Sequence, residues 1–296
     1  MKRRAFHRLT LLSCGALLPP LARAEAAGPQ PSLTEPALWQ ATESAGQGRL
    51  GVAVLDTQTG RFYGHRADER FPMCSTFKWL AAAHVLQRVD RGLERLERQV
   101  PFGRDVLLPW SPVTQRHADG SGMTVGALCH AAITTSDNAA GNLLLRTLGG
   151  PEGLTAFARQ CQDEVTRLDR WEPDLNQATP GDVRDTTSPR AMAGLLQRCV
   201  LGEVLSAGSR AQLAQWLQDT KTNLQRLGAG LPAPWRLGSK TGTGAHGTTN
   251  DVGIYWPDGR APIVVAAFLT ESGASLEARE AALAQVAGAV IGSGRR

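Results

Sequence analysis

The chain has 296 residues, 42% hydrophobic and 20% charged, enough for one large domain and unlike a disordered or fibrous protein. Its formal net charge of +5 comes from the N-terminus: residues 1–24 hold five basic and no acidic side chains, leaving 27 basic against 27 acidic residues in the remainder. That balance gives no argument for nucleic acid as a partner, and no internal apolar stretch approaches the roughly 20 residues of a membrane-spanning helix.

The first element in chain order is a targeting segment. Lys2-Arg3-Arg4-Ala5-Phe6 is a twin-arginine pair followed by an aromatic, an apolar run fills residues 11–21, and Ala22-Arg23-Ala24 forms a small-x-small cleavage site. Residues 1–24 therefore read as a twin-arginine-type signal peptide cut before Glu25, and the mature protein is expected in the periplasm. Leu11-Leu12-Ser13-Cys14 has a lipobox-like form, but the apolar run continues past Cys14, which favours simple cleavage. Cys74, Cys129, Cys161 and Cys199 remain, in a compartment where disulfides persist. Their spacings carry no C-x-x-C metal pattern, and the plain expectation is buried free thiols.

Ser32-Leu33-Thr34-Glu35 is a capping box, which predicts a helix start. Strands are expected at residues 50–56 and 61–66, paired across the turn at 57–60. From Ser75 the apolar residues Phe77, Leu80, Ala81, Val85 and Leu86 recur at helical spacing, ending near Gly92. Residues 102–230 read as helices and loops without a strand pair, and 170–189 as a long functional loop. Strands return at 235–239, 250–256 and 262–270, the last two joined by Pro257-Asp258-Gly259, before a closing helix over 275–290. The expected fold class is α+β: an antiparallel sheet formed from both chain ends and flanked by helices (25–66 and 221–296), with an inserted helical subdomain (67–220). The cleft between the two parts is the expected site.

Three short motifs carry chemistry. Ser75-Thr76-Phe77-Lys78 places a hydroxyl and an amine on one helix face, and a lysine held neutral by burial can serve a serine nucleophile as base. Alone, Ser-x-x-Lys arises by chance about once per couple of hundred residues and would decide nothing. Ser136-Asp137-Asn138 follows a helical run at 124–133, where a second serine can relay a proton and an asparagine amide can hold a substrate amide; by itself it is an ordinary turn. Lys240-Thr241-Gly242 lies on an expected strand, where an ammonium and hydroxyls can grip a carboxylate while glycine lets a ligand lie on the backbone.

Together, in this order, the three motifs resemble the active-site serine penicillin-recognising enzymes. Arg170-Trp171-Glu172-Pro173-Asp174-Leu175-Asn176 is similar to the omega loop of class A β-lactamases, and the similarity spans about residues 32–290. The resemblance implies hydrolysis of the β-lactam amide of penicillins and cephalosporins through an acyl-enzyme, in a monomer that needs no cofactor or metal. It implies Ser75 as nucleophile, Lys78 as its base or proton shuttle, and Ser136 as proton donor to the β-lactam nitrogen. Asn138 would bind the substrate amide. Glu172 and Asn176 would hold the deacylating water, with Lys78 and Glu172 both open as acylation base. Lys240, Thr241 and Thr243 would bind the substrate carboxylate, and the Ser75 and Thr243 N–H groups would form the oxyanion hole. The same resemblance implies an Arg170–Asp185 salt bridge pinning the loop and a cis bond before Pro173.

The sequence departs from the family in its cysteines. Many members bridge the nucleophile's helix to Cys129, but the partner position here is Ala82. A carbapenem-hydrolysing subgroup bridges the position of Cys74 to one occupied here by Gly244, so carbapenem hydrolysis is not expected from this feature. Trp110 and Arg226 point the other way, matching a cleft-rim aromatic and a substrate-carboxylate arginine in that subgroup. The plain alternatives are a loop aromatic and a solvated helix-end charge. A D-alanyl-D-alanine peptidase or a β-lactam sensor would share the first three motifs but lack Glu172 and Asn176.

Overall fold

The computed structural model describes residues 32–295; the signal-like segment 1–24, with Cys14 and the cleavage site, lies outside the described residues. The first helix, α1 (Pro36–Gly46), starts later than the capping box predicts. Ser32 and Glu35 close one turn instead, with Glu35 Oε1 accepting the Ser32 N–H at 3.3 Å. Pro36 is the reason: it holds Glu35 extended (φ −85°, ψ 113°) and, lacking an N–H, can stand only at the start of a helix.

Strand β1 (Arg49–Asp56) follows, then β2 (Phe62–His65) and the two-residue β3 (Phe71–Pro72). After a 3₁₀ turn at Cys74–Thr76 comes α2 (Phe77–Asp90), with nearly every residue from Phe77 to Gln87 buried. A helix apolar on all sides must be central, and α2 is packed by neighbours throughout. The chain then forms β4 (Gln99–Val100), β5 (Met123–Thr124), α3 (Val125–Thr134), α4 (Asn138–Thr147) and α5 (Gly150–Gln160). Beyond the long loop lie β6 (Thr186–Thr187) and α6 (Pro189–Leu196), extended by a π-helical turn at Gln197–Leu201, and then α7 (Ala207–Gln218). The end of the chain supplies β7 (Arg236–Thr243), β8 (Thr249–Trp256), β9 (Ile263–Thr270) and α8 (Leu276–Gly294), capped by Ser275. No helix among the described residues is long and apolar enough to cross a membrane.

The sheet order is β2-β1-β9-β8-β7, antiparallel throughout, so the fold is α+β with strands from both chain ends. Its centre shows why both ends are needed. Along β9, Val264, Ala266 and Phe268 join one apolar cluster with Phe71, Phe77 and Met192, while Val265, Ala267 and Leu269 join another with Leu283, Val286 and Val290. That is the period of two of a pleated strand, and covering both faces buries all eight residues. Each large apolar side chain so enclosed contributes about 1.5–3 kcal/mol.

Two small ladders tie the region 102–230, expected as helices and loops, to residues before it: β3 pairs β6, and β4 pairs β5, each with one strand inside that region. Two-residue strands are too short to show alternation. The strand expected over 235–239 runs instead from Arg236 to Thr243, placing Lys240-Thr241-Gly242 on the edge strand of the sheet, where all three are buried.

Candidate active site

Ser75 sits on the tight turn ahead of α2, held there by two backbone features. Cys74 occupies the left-handed region at φ +46°, and Asn250 of β8 donates to the Pro72 and Met73 carbonyls at 2.9 and 3.1 Å. Ser136 and Trp110 also have positive φ, +59° and +62°. Non-glycine residues adopt such values where the surroundings force them, and functional sites collect them.

Three side chains meet at Ser75. Lys78 Nζ donates to Ser75 Oγ at 3.0 Å, Ser75 Oγ donates to Glu172 Oε1 at 3.1 Å, and Lys78 Nζ lies 2.9 Å from that same carboxylate oxygen. Lys78 also donates to Asn138 Oδ1 at 2.6 Å and to the Ser136 carbonyl at 2.9 Å. Burial pushes the Lys78 amine below its ordinary basicity, against the opposing pull of Glu172 and Asp137. A less basic amine in contact with a hydroxyl is a competent proton acceptor, and so is the carboxylate on its other side.

The opposite wall is β7. Lys240 Nζ donates to Ser136 Oγ at 3.0 Å and to the Thr241 carbonyl at 2.6 Å. Its amine is pushed well down by burial, then by Lys78. Thr241 Oγ1 pairs with Thr222 Oγ1 at 2.6 Å. Arg226 is not a solvated helix-end charge. It is 5% exposed, donating to the Gly242 and Asn250 carbonyls at 3.0 and 2.9 Å, to Thr243 Oγ1 at 2.9 Å and to Glu280 at 3.1 Å. Accepting from Arg226 leaves the Thr243 hydroxyl hydrogen free to be donated elsewhere.

The omega loop is stitched from within. Arg170 Nε pairs with the buried Asp185 at 2.6 Å, and Asp185 Oδ1 takes the N–H groups of Asp169 and Arg170 at 2.8 and 2.9 Å. The Glu172–Pro173 bond is cis. Asn176 Nδ2 donates to Glu172 Oε2, so the two candidate water ligands are adjacent. Trp110 is 65% exposed beside the site, its carbonyl accepting the Asn138 N–H at 3.0 Å. The structure thus gathers Ser75, Lys78, Ser136, Asn138, Glu172, Asn176 and Lys240, with Thr241, Thr243 and Trp110 beside them and Arg226 behind Thr243.

Several residues escaped the sequence reading. Asn142 clamps the Glu172 backbone, donating to its carbonyl at 2.9 Å and accepting its N–H at 3.0 Å. Its place four residues after Asn138, on the same helix face, was a usable signal. Asp137 caps α4 and also accepts from the Val113 and Thr114 N–H groups. Asn250, Thr222 and Glu280 had no motif to mark them.

A sequence model of the Beta-lactamase enzyme family matches residues 37–292. Beta-lactamase L2 of Stenotrophomonas maltophilia is 50% identical over 97% of both chains. The carbapenem-hydrolyzing beta-lactamase KPC of Klebsiella oxytoca is 47% identical over 89% of this chain and 88% of its own. The solved structure of an ancestral (GNCA) class A beta-lactamase superposes with a TM-score of 0.86 at 58% identity, covering 88% of this chain and all of that one. The chain is a class A β-lactamase. It hydrolyses β-lactams, an activity that confers antibiotic resistance. Like the described cysteines as a group, the β-lactamase's Cys74 is a buried free thiol. A Cβ built on Gly244 would fall 2.5 Å from Cys74 Sγ, so the two positions face each other and only the second sulfur is missing.

Proposed function

We propose that this enzyme opens penicillins and cephalosporins by attack of Ser75 Oγ on the lactam carbonyl, and that a water held by Glu172 and Asn176 releases the acyl group. The observation that carries this reading is the three-way contact of Ser75, Lys78 and Glu172, which puts both bases on the nucleophile. Lys78 or Glu172 takes the serine proton. Ser136, its oxygen bound to Lys240, returns a proton to the departing nitrogen. Asn138 orients the substrate amide, and Lys240, Thr241 and Thr243 hold its carboxylate with Arg226 polarising Thr243. The Ser75 and Thr243 N–H groups receive the oxyanion, a contribution of about 10²–10³ each. Trp110 forms the rim. Gly244 opposite Cys74 argues against efficient carbapenem turnover. In the same reading residues 1–24 are a twin-arginine signal. The mature enzyme is a periplasmic monomer without nucleic-acid partners, divided into an α/β part (25–66 and 221–296) and a helical part (67–220).

Glu172→Ala tests it. The water loses its base, a contribution of about 10²–10⁴, so deacylation slows more than acylation. Stopped-flow mixing with penicillin should show a burst of about one equivalent and little steady state, with the adduct persisting in intact mass. Parental turnover would refute the deacylating role, and a variant that never acylates would place Glu172 in the first step.

A further inference from the structure

The dipeptide Asp-Gly occurs twice in the chain, at Asp119-Gly120 and at Asp258-Gly259. It is chemically labile because glycine has no Cβ to shield its nitrogen, which can reach the carboxyl carbon of the preceding side chain. Both pairs lie exposed in loops, and both glycines have positive φ, +100° and +69°, with open space where a Cβ would stand. Sequence, exposure and backbone therefore treat the two pairs alike; their hydrogen bonds do not.

At the first pair both reacting groups are engaged. The Gly120 N–H donates to the Phe102 carbonyl at 3.1 Å, and Asp119 Oδ1 accepts the Ser121 N–H at 3.0 Å and the Ser121 hydroxyl at 2.6 Å. The Ser121 hydroxyl, then its N–H, hold the Asp119 carboxyl below its ordinary pKa, so less of it is in the protonated form from which ring closure proceeds. The second pair forms the turn between β8 and β9, past their last paired residues, Tyr255 and Ile263. Among the described residues no hydrogen bond engages the Gly259 N–H or the Asp258 carboxylate. The chain is tied down only beyond them, where Arg260 donates to Asp56 Oδ2 at 2.7 Å and to the Gly294 carbonyl at 2.9 Å.

We propose that Asp258 is a spontaneous modification site, where the chain rearranges to isoaspartate through a cyclic imide, and that Asp119 is protected from the same reaction. Gly259 N attacks Asp258 Cγ and the new C–N bond closes a five-membered ring. The amide proton leaves with the carboxyl hydroxyl as water. A second water then adds to the ring carbonyl that was the main-chain carbonyl of Asp258 and breaks its bond to Gly259 N. The main chain now runs through Cβ and Cγ, one carbon longer, and the old carbonyl carbon becomes a free carboxylate. One water is lost and one regained, with no oxidant or reductant. The longer link falls at the end of β8 away from Asn250, which holds the Ser75 turn.

The test is to age the purified full chain at neutral pH, folded in one sample and unfolded in guanidinium chloride in another, and to map the peptides. In the folded protein the peptide containing Asp258-Gly259 should split into two species of equal mass, the new one a substrate for protein isoaspartyl methyltransferase. Three hydrogen bonds must break at Asp119-Gly120 and none at Asp258-Gly259, so the yield at Asp258 should be larger by about 10-fold or more. In the unfolded chain the two sites should react alike. Asp258→Glu, which would have to close a six-membered ring, should remove the signal at that position. Equal yields at the two sites of the folded protein, or a larger yield at Asp119, would overturn the proposal. So would the same preference in the unfolded chain, no product at Asp258 in the folded protein, or a signal that survives in Asp258→Glu.

Discussion

Asp251 is a fully buried carboxyl on β8, opposite Thr241 in the ladder. Burial raises it from an ordinary 3.8 to about 6, although Arg226, the Ser239 hydroxyl, the Leu227 N–H and Lys240 pull the other way. A carboxyl whose pKa is higher folded than unfolded holds its proton more tightly in the native state. Its contribution to stability is therefore fully present below the unfolded value and is lost as pH rises through the folded one, here between about 4 and 6. A shift of about 2 units is worth about 3 kcal/mol, of which 2–3 should be lost between pH 4 and pH 7. Asp251→Asn removes the titration while its Oδ1 can still accept the Leu227 N–H, a bond of 3.1 Å in the parent. Urea unfolding of parent and variant at both pH values isolates the effect. The stability of the variant relative to the parent should rise by about 2–3 kcal/mol from pH 4 to pH 7, whatever constant packing loss the substitution causes. A double difference near zero would mean that the carboxyl titrates normally, and the burial argument would fail.

Asn142→Ala leaves the N–H and C=O of Glu172 without partners in a residue only 3% exposed, which should cost about 2–4 kcal/mol in urea unfolding. Deacylation should slow by about 10-fold or more as the carboxylate loses its fixed position, and parental kcat in a folded variant would make Asn142 a purely structural residue. Arg226→Ala removes a donor from the Gly242 and Asn250 carbonyls and releases the Thr243 hydroxyl. KM should rise more than kcat falls, and kinetics identical to the parent would sever Arg226 from carboxylate binding.

What could be read from the chain beforehand followed the range of each signal. Ser75 and Lys78 are three residues apart on one helix face, and Lys240 to Thr243 share one strand, so their chemistry lay in contiguous motifs. The long sheet strands were legible because both chain ends carry apolar runs flanked by turns. Pro36 delayed α1 because a local steric rule overrode the Ser32–Glu35 capping pattern. The paired two-residue strands β3–β6 and β4–β5 were too short for any periodicity to register.

The harder residues are those whose partners come from far along the chain. Arg226 on sequence grounds alone is a helix-end charge; it becomes a buried brace only because Glu280, 54 residues on, and two carbonyls of adjacent strands converge on it. Glu172 depends in the same way on Asn142, 30 residues earlier, and Ser75 on Asn250, whose amide reaches back across 177 residues to Met73. A buried polar group must find partners, and the fold alone decides which. Spacing in the sequence therefore exposes the groups that do the chemistry, while the groups that aim them emerge only when distant segments are brought together.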